Sequence, residues 1–338
     1  MTRLSLTIVG TAAAAAVLPI PSAAVERWYS TGLYPVLQRT LTPLSNLVPF
    51  ALFDALCVAA IATAAVAVYR QVSAAGWMHG LARALRGLVV AAAIVYLVFL
   101  VTWGLNYRRV PLPRKLVFEP SQVTRASAAA LGDANAATLN RLYAASHPAR
   151  LSVPSLAASF EATLRALGGA APIVPGRPKQ TLLGGYFHQI SVAGMTDPFF
   201  LETLVAPDLI DAERPFVLAH EWGHLAGYAD ESEANYVAWL TCRHGDALAQ
   251  YSAALTLLGY AEPSRPLRDA LDLGPKIDLT AIRERYRMTN ETLRLAAQRG
   301  YDTYLKANRV EEGVLSYDAV VQLILGTTLD DRGYPTRR

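Results

Sequence analysis

The sequence predicts a mainly α chain with a small β element (α+β), in which N-terminal transmembrane helices precede a soluble domain. Three observations predict this. Hydrophobic residues make up 53% of the 338 positions and charged residues only 17%, which is more apolar than an ordinary soluble protein. The apolar residues concentrate in three runs within the first third of the chain. The rest alternates amphipathic helical stretches with short extended runs, and one helical run carries the pattern His220-Glu221-Trp222-Gly223-His224.

The three runs set the first region, residues 1–107, with predicted membrane helices at about 4–24, 48–69 and 87–105. Each approaches the roughly 20 residues that a helix needs to cross a bilayer. The first is alanine-rich and interrupted near its end by Pro19 and Pro21, the second is apolar apart from Asp54, and the third is uninterrupted. Arg3, the apolar run and Pro21-Ser22-Ala23-Ala24 resemble a signal peptide, but the run is long for one and is read as a retained helix. Trp28, Tyr29, Trp103 and Tyr107 fall near the predicted boundaries, where amphipathic rings prefer to sit.

Charge bears on orientation in two opposing ways. Arg70, Arg83 and Arg86 lie between the second and third helices without an acid, as expected of a cytoplasmic loop. Arg108, Arg109, Arg114 and Lys115 follow the third helix at once and favour the reverse. Long domains translocate largely regardless of charge, so residues 108–338 are placed on the external or periplasmic side of a multi-pass cell-membrane protein. Cys57 and Cys242 imply no disulfide framework, and no arginine–aromatic pattern argues for nucleic acid. The lipid bilayer is thus one expected partner.

Residues 108–338 are long enough for one domain. Ser121 opens a helical stretch to about Ala145, and Ser155 opens another to about Leu167, both serines serving as N-caps. A proline- and glycine-rich loop, 168–179, ends this section. Tyr186 to Val192 reads as a strand with Tyr186, His188, Ile190 and Val192 on one face, and Thr203 to Val205 as a second. An edge strand beside the motif helix would let an extended peptide pair with it. The motif helix starts near Pro215. Further helices are expected at about 247–258, 280–308 and 316–325.

Two histidines four apart share one helix face, so His220 and His224 can both reach one metal ion. Glu221 beside them is placed to take a proton from water that the metal activates. Catalytic zinc takes a third protein ligand, and two candidates follow within seven residues. Gly227 permits a turn that would bring Asp230 to the metal, or Glu231 could reach it from the next helix. Glu231 and Asn235 share a face there, so Asn235 could hydrogen-bond a ligand histidine, and the small Ala234 and Ala238 would let the two helices approach closely. Asp230 followed by Glu233 also reads as a capping-box-like helix start.

HExxH followed by ExxAN resembles the gluzincin arrangement of bacterial metallopeptidases. The chain is similar further to an uncharacterised family of bacterial membrane proteins that joins N-terminal helices to a zincin-like domain. The resembling pieces are TWGLNYRRVPLP (102–113), VAGMTDPFFLETLV (192–205), HEWGHLAGYADESEANYVAWLTC (220–242) and LKANRVEEGVLSYDAVVQLIL (305–325). The resemblance implies Glu231 rather than Asp230 as third ligand. The rival metzincin pattern needs a methionine turn, for which only Met288 is available downstream.

The function expected is that of a membrane-anchored zinc metallopeptidase with one Zn²⁺ per chain, acting on a peptide or protein substrate. His188, Glu202 and Tyr317 are candidates for transition-state or substrate contacts. The alternative is a membrane sensor or assembly factor that binds zinc without catalysis, since motif and fold do not fix function. A transporter lacks paired repeats here, and the motif helix is too short and too closely flanked by charge for an intramembrane protease.

Overall fold

The computed structural model describes residues 2–169, 172–261, 265–307 and 319–338. Helix α1 (Arg3–Val17) stops short of the expected 4–24 span: Leu18 turns extended, and Pro19 and Pro21 supply no backbone N–H to continue it. The chain then bends by 110° into α2, the continuous helical path Ser22–Asn46, whose Val25–Leu33 stretch is π-helical.

The runs expected as separate spans at 48–69 and 87–105 are two helical arms that meet at a sharp break on one residue, Gly76, with no longer loop between them. They form α3 (Leu52–Thr102), broken at Gly76 with φ 74° and ψ 169°. A Cβ on Gly80 would lie 2.5 Å from the Cα of Val72. Eight residues of straight helix would separate these positions by about 12 Å, so the chain turns back on itself at Gly76. Among the described residues, α3 is the one helix long and apolar enough to cross a membrane. Helix α1 packs against it, with Ala12 and Ala93 buried.

After short 3₁₀ turns come α4 (Arg125–Ser146) and α5 (Val153–Ala166). Their caps differ from those expected. Thr124 rather than Ser121 caps α4 through a reciprocal box with Ser127, and Ser152 rather than Ser155 caps α5, Pro154 occupying its first turn.

Residues 186–190 are helical, not extended. Helix α6 (Gly184–Ile190) puts Leu183 and Phe187, four apart, against Leu204 and Val205, while Tyr186 stays exposed. The alternation read in the sequence was accidental: the buried pair follows the helical period. Ser191, at φ 61°, ends the helix. The sheet pairs β1 (Pro178–Lys179) parallel and β2 (Gly194–Asp197) antiparallel to a central β3 (Glu202–Val205). The predicted Thr203–Val205 strand is therefore the middle strand, and β2 is the edge.

The remaining helices are α7 (Arg214–Leu225), α8 (Glu231–Arg243), α9 (Ala247–Leu257), α10 (Arg265–Asp269), α11 (Leu273–Arg287), α12 (Glu291–Ala307) and α13 (Ala319–Gly326). The helix expected over 280–308 is two helices, because the Asn290 side chain accepts from the N–H of Leu293 and starts α12 afresh. The main core joins Phe160, Trp222, Leu225 and Tyr236 to Tyr29 and Tyr34 of α2 and to Phe99 and Trp103 at the end of α3. Residues 25–46 thus belong to the same packed core as the motif helix.

Candidate metal centre

Leu218, Ala219, Trp222 and Leu225 form the buried side of α7, and the Trp222 indole donates to the Gly176 carbonyl at 2.8 Å. That fixes the rotation of the helix and turns His220 and His224 to the other side. The helix ends in a Schellman turn: Tyr228 N–H donates to the Gly223 carbonyl, and Gly227 takes the left-handed conformation at φ 81°. The chain then re-enters helix at α8, whose N-cap Asp230 accepts from the N–H groups of Ser232 and Glu233. The two helices pack closely because a Cβ on Gly223 would stand 3.2 Å from the Cα of Ala234. The expected close approach at Ala234 is present, with Gly223 as its other half.

This turn brings His220, His224 and Glu231 together as a group that can hold a metal ion, all ligand atoms lying within 4.8 Å of one another. The two Nε2 atoms are 3.1 Å apart, and Glu231 Oε2 lies 3.2 Å from that of His220 and 3.5 Å from that of His224. Asp230 is outside this group; its carboxylate serves the helix start. Met288 is 65% exposed and forms no floor beneath the histidines.

Burial disfavours charge on Glu231, but the charge and hydrogen bonds of His224 and His220 outweigh it and hold its carboxyl well below the usual range. Burial likewise opposes protonation of His224, yet Glu231, helped by Glu221 and the Tyr228 carbonyl, raises it to about 9. Three like-purposed acceptors converging in a buried space attract a cation, whether protons or a metal.

Glu221 is 3% exposed and points from the same helix toward the edge strand. Burial raises its carboxyl above the ordinary value, against the pull of the two histidines and of Thr196. The Thr196 hydroxyl lies 2.8 Å from Oε2 and 2.9 Å from the Glu221 carbonyl oxygen. Gly194 leaves the room: a Cβ there would meet Oε1 at 2.6 Å. Strand β2 therefore lines the acid directly, and the edge-strand role expected of Tyr186–Val192 falls to Gly194–Asp197.

Other expected contacts lie elsewhere. Asn235 is buried but its Nδ2 has no hydrogen-bond partner; the Tyr228 carbonyl, not Asn235, meets His224 Nδ1 at 2.8 Å. Glu233 does not reach back to complete a capping box; it accepts from Leu112 N–H, and burial pushes its carboxyl up to about 7. His188 pairs with Asp208 at 2.7 Å beside Arg285 and Thr289, apart from the metal group. Glu202 is fully enclosed and paired with Lys179, so it meets no substrate. Tyr317 lies outside the described residues.

Three contributors were missed. The Tyr301 hydroxyl of α12 donates to Glu231 Oε1, leaving Oε2 to the histidines. Thr196 was hidden because β2 is too short and mixed to read as a strand. Trp103 donates from its indole to the His224 carbonyl at 3.0 Å. Only its membrane-boundary position was legible.

The chain belongs to a family described as protein of unknown function (DUF3810), whose profile matches residues 29–325. No curated protein and no solved structure matches it.

Proposed function

We propose that this protein is a membrane-anchored zinc metallopeptidase of gluzincin type, with one Zn²⁺ held by His220, His224 and Glu231. The observation that carries the reading is the spacing of the three ligand atoms. Metal–ligand bonds of about 2.0–2.2 Å at tetrahedral angles put neighbouring ligand atoms about 3.3–3.6 Å apart. The separations of 3.1, 3.2 and 3.5 Å lie within about 0.2 Å of that range. Two buried imidazole nitrogens and a carboxylate oxygen suit zinc by donor type as well.

Zinc held there supplies Lewis-acid activation of water and of the scissile carbonyl. Glu221 does the proton work: its carboxylate takes a proton from the attacking water and returns it to the departing amine. Thr196 orients that carboxylate, and its raised affinity for a proton suits a group that must accept one and then release it. The edge of β2 offers backbone groups to an extended peptide beside Glu221. Among the described residues Tyr301 bonds the ligand carboxylate directly, and its hydroxyl, once turned from Glu231 Oε1, is assigned as donor to the developing oxyanion.

We place α1 and both arms of α3 in the cell membrane, with the metal centre outside. All three helices meet the domain at one end; their other ends carry Arg3, Arg70, Arg83 and Arg86 and no acid. The opposing basic collar is largely engaged within the protein. Arg109 and Lys115 bind Glu26, and Arg108 donates to the Ala15 carbonyl. The arginines that count as orientation signals are therefore those at the far side.

The test is Glu221→Gln in the full chain, with metal content and peptide hydrolysis measured together. The variant should keep its zinc and lose turnover by at least about 10²-fold, as expected on losing a general base. Full hydrolysis by that variant would remove Glu221 from the mechanism.

A further inference from the structure

Helix α2 is built inside out. Its polar and aromatic side faces the domain and is bonded there residue by residue. Tyr34 donates to the Leu225 carbonyl at 2.9 Å, and Thr42 to that of Leu201 at 2.9 Å. Gln38 clamps both backbone groups of Val174, and Asn46 donates to Pro175 and accepts from Arg177. The opposite side exposes Trp28, Leu33, Val36, Leu44 and Leu47, continued by Phe50 just past its end, with Trp28 at 69% and Leu47 at 78% exposure. Leu33, Val36, Leu44 and Leu47 recur at helical spacing and form one stripe.

Charge follows the same division. Glu26 is the sole acid between Ser22 and Phe50 and is turned inward to Arg109 and Lys115. Arg27 and Arg39 are exposed beside the apolar stripe, Arg27 lying over the Trp28 ring at 4.8 Å. An apolar face with tryptophan, flanked by arginines and free of acids, is the composition of a helix lying in the headgroup region of an anionic bilayer.

Direction agrees with composition. Helix α1 packs along α3, and α2 leaves α1 at 110°, so α2 runs across the end of the apolar bundle rather than beside it. At 25 residues it is about 37 Å long. Its last residues lead straight into α3, whose Val58 and Ile61 are themselves exposed. Lipid that covers α3 therefore continues onto the outer face of α2.

We infer that α2 is an interfacial helix that lays the domain on an anionic phospholipid surface, its apolar stripe sunk to the acyl boundary and Arg27 and Arg39 among the phosphates. The inference rests on the membrane placement of α3 and is independent of peptidase chemistry. The experiment is spin-label accessibility on the full chain with Cys57 replaced by alanine, reconstituted in phosphatidylcholine–phosphatidylglycerol vesicles. Single labels go to Val36, Leu47, Ile61 as lipid reference and Arg150 as water reference. Val36 and Leu47 should be relaxed by oxygen and shielded from a water-soluble nickel chelate, as Ile61 is. Nickel access equal to that at Arg150 would overturn the inference. Shielding from both reagents would also overturn it, in favour of a protein partner or second copy. Nickel access at Ile61 too would remove the membrane placement itself. Arg27→Gln/Arg39→Gln should reduce the oxygen-to-nickel contrast at Val36 at least twofold; no change would refute the anionic headgroup contact.

Discussion

Lys179 and Glu202 form a pair with side chains 1% and 0% exposed, and this pair gives the sharpest test of how the sheet is held. The lysine ammonium donates to Glu202 Oε1 and, at 2.7 Å, to the Ser45 carbonyl. Glu202 Oε2 accepts from the Phe53 N–H at 3.0 Å. Two charges thus tie β1 and β3 to the end of α2 and the start of α3. Replacing Lys179 by Met leaves a carboxylate enclosed with a single backbone donor. Removing one member of such a pair costs about 3–5 kcal/mol, because the survivor keeps its desolvation penalty without its counter-charge. At about 2–4 °C per kcal/mol, that lowers Tm by roughly 6–20 °C. Glu202→Gln should lose a similar amount. The double variant Lys179→Met/Glu202→Gln leaves no charge behind, and the amide oxygen can still accept from Phe53, so it should lie within about 2 kcal/mol of wild type. Thermal unfolding of all four proteins in one detergent gives the cycle. The reasoning is refuted if either single variant falls within about 0.5 kcal/mol of wild type, or if the two losses add.

Four further outcomes follow from the site. Glu231→Ala should abolish metal binding, whereas Asp230→Ala should keep the metal and lower stability by about 1 kcal/mol, as loss of an N-cap does; metal content and Tm read the two apart. Gly194→Val should cut turnover more than tenfold at unchanged metal content, since its Cβ would collide with Glu221 Oε1 at 2.6 Å; retained activity would show that the acid has another position open to it. Tyr301→Phe should lower kcat by about 10²–10³ with KM and zinc unchanged, and an equal loss in both constants would point to a structural role. Burial raises the Asp197 carboxyl to about 7, against the N–H groups of Phe199 and Phe200. The folded chain then holds a proton that the unfolded chain releases near 4, so stability falls as pH rises from about 4 to 7 and levels off above. Glu233, also raised to about 7, adds to the same slope, so Asp197→Asn should reduce it without removing it in unfolding measurements across that range.

What the sequence made legible divides by the range of the interaction. His220, Glu221, His224 and Glu231 are tied by helical spacing and one glycine turn, and such local geometry can be read from spacing alone. Asp230 as a cap is equally local. Glu202 was misread because its partner is 23 residues away, and a lone acid in a strand gives no sign that Lys179 encloses it. Tyr301 reaches Glu231 across 70 residues and Trp103 reaches His224 across 121, contacts that no local period encodes. The strand expected over 186–192 failed for a different reason. Over so short a run, alternation and helical period select overlapping residues, and only the buried partner of Phe187 decides between them.

The same long-range contacts explain why the motif helix and the apolar N-terminal segments cannot be treated as separate parts. A helix leaves its last carbonyls without backbone donors. In α7 the turn after Gly223 meets some of this need, and the remainder comes from outside. The Leu225 carbonyl receives the Tyr34 hydroxyl, the His224 carbonyl the Trp103 indole in addition to the Gly227 N–H, and the Gly227 carbonyl, just past the helix, the Arg109 guanidinium at 2.8 Å. Two of these side-chain donors precede residue 108, where composition alone draws the boundary between membrane and soluble regions. The third is held in place by Glu26 of α2. Composition changes at that boundary, but the folding unit does not. The end of the helix that bears His224 is completed by side chains from the segments on either side of α3, so the same hydrogen bonds fix the position of those segments and of the helix that carries His220 and His224.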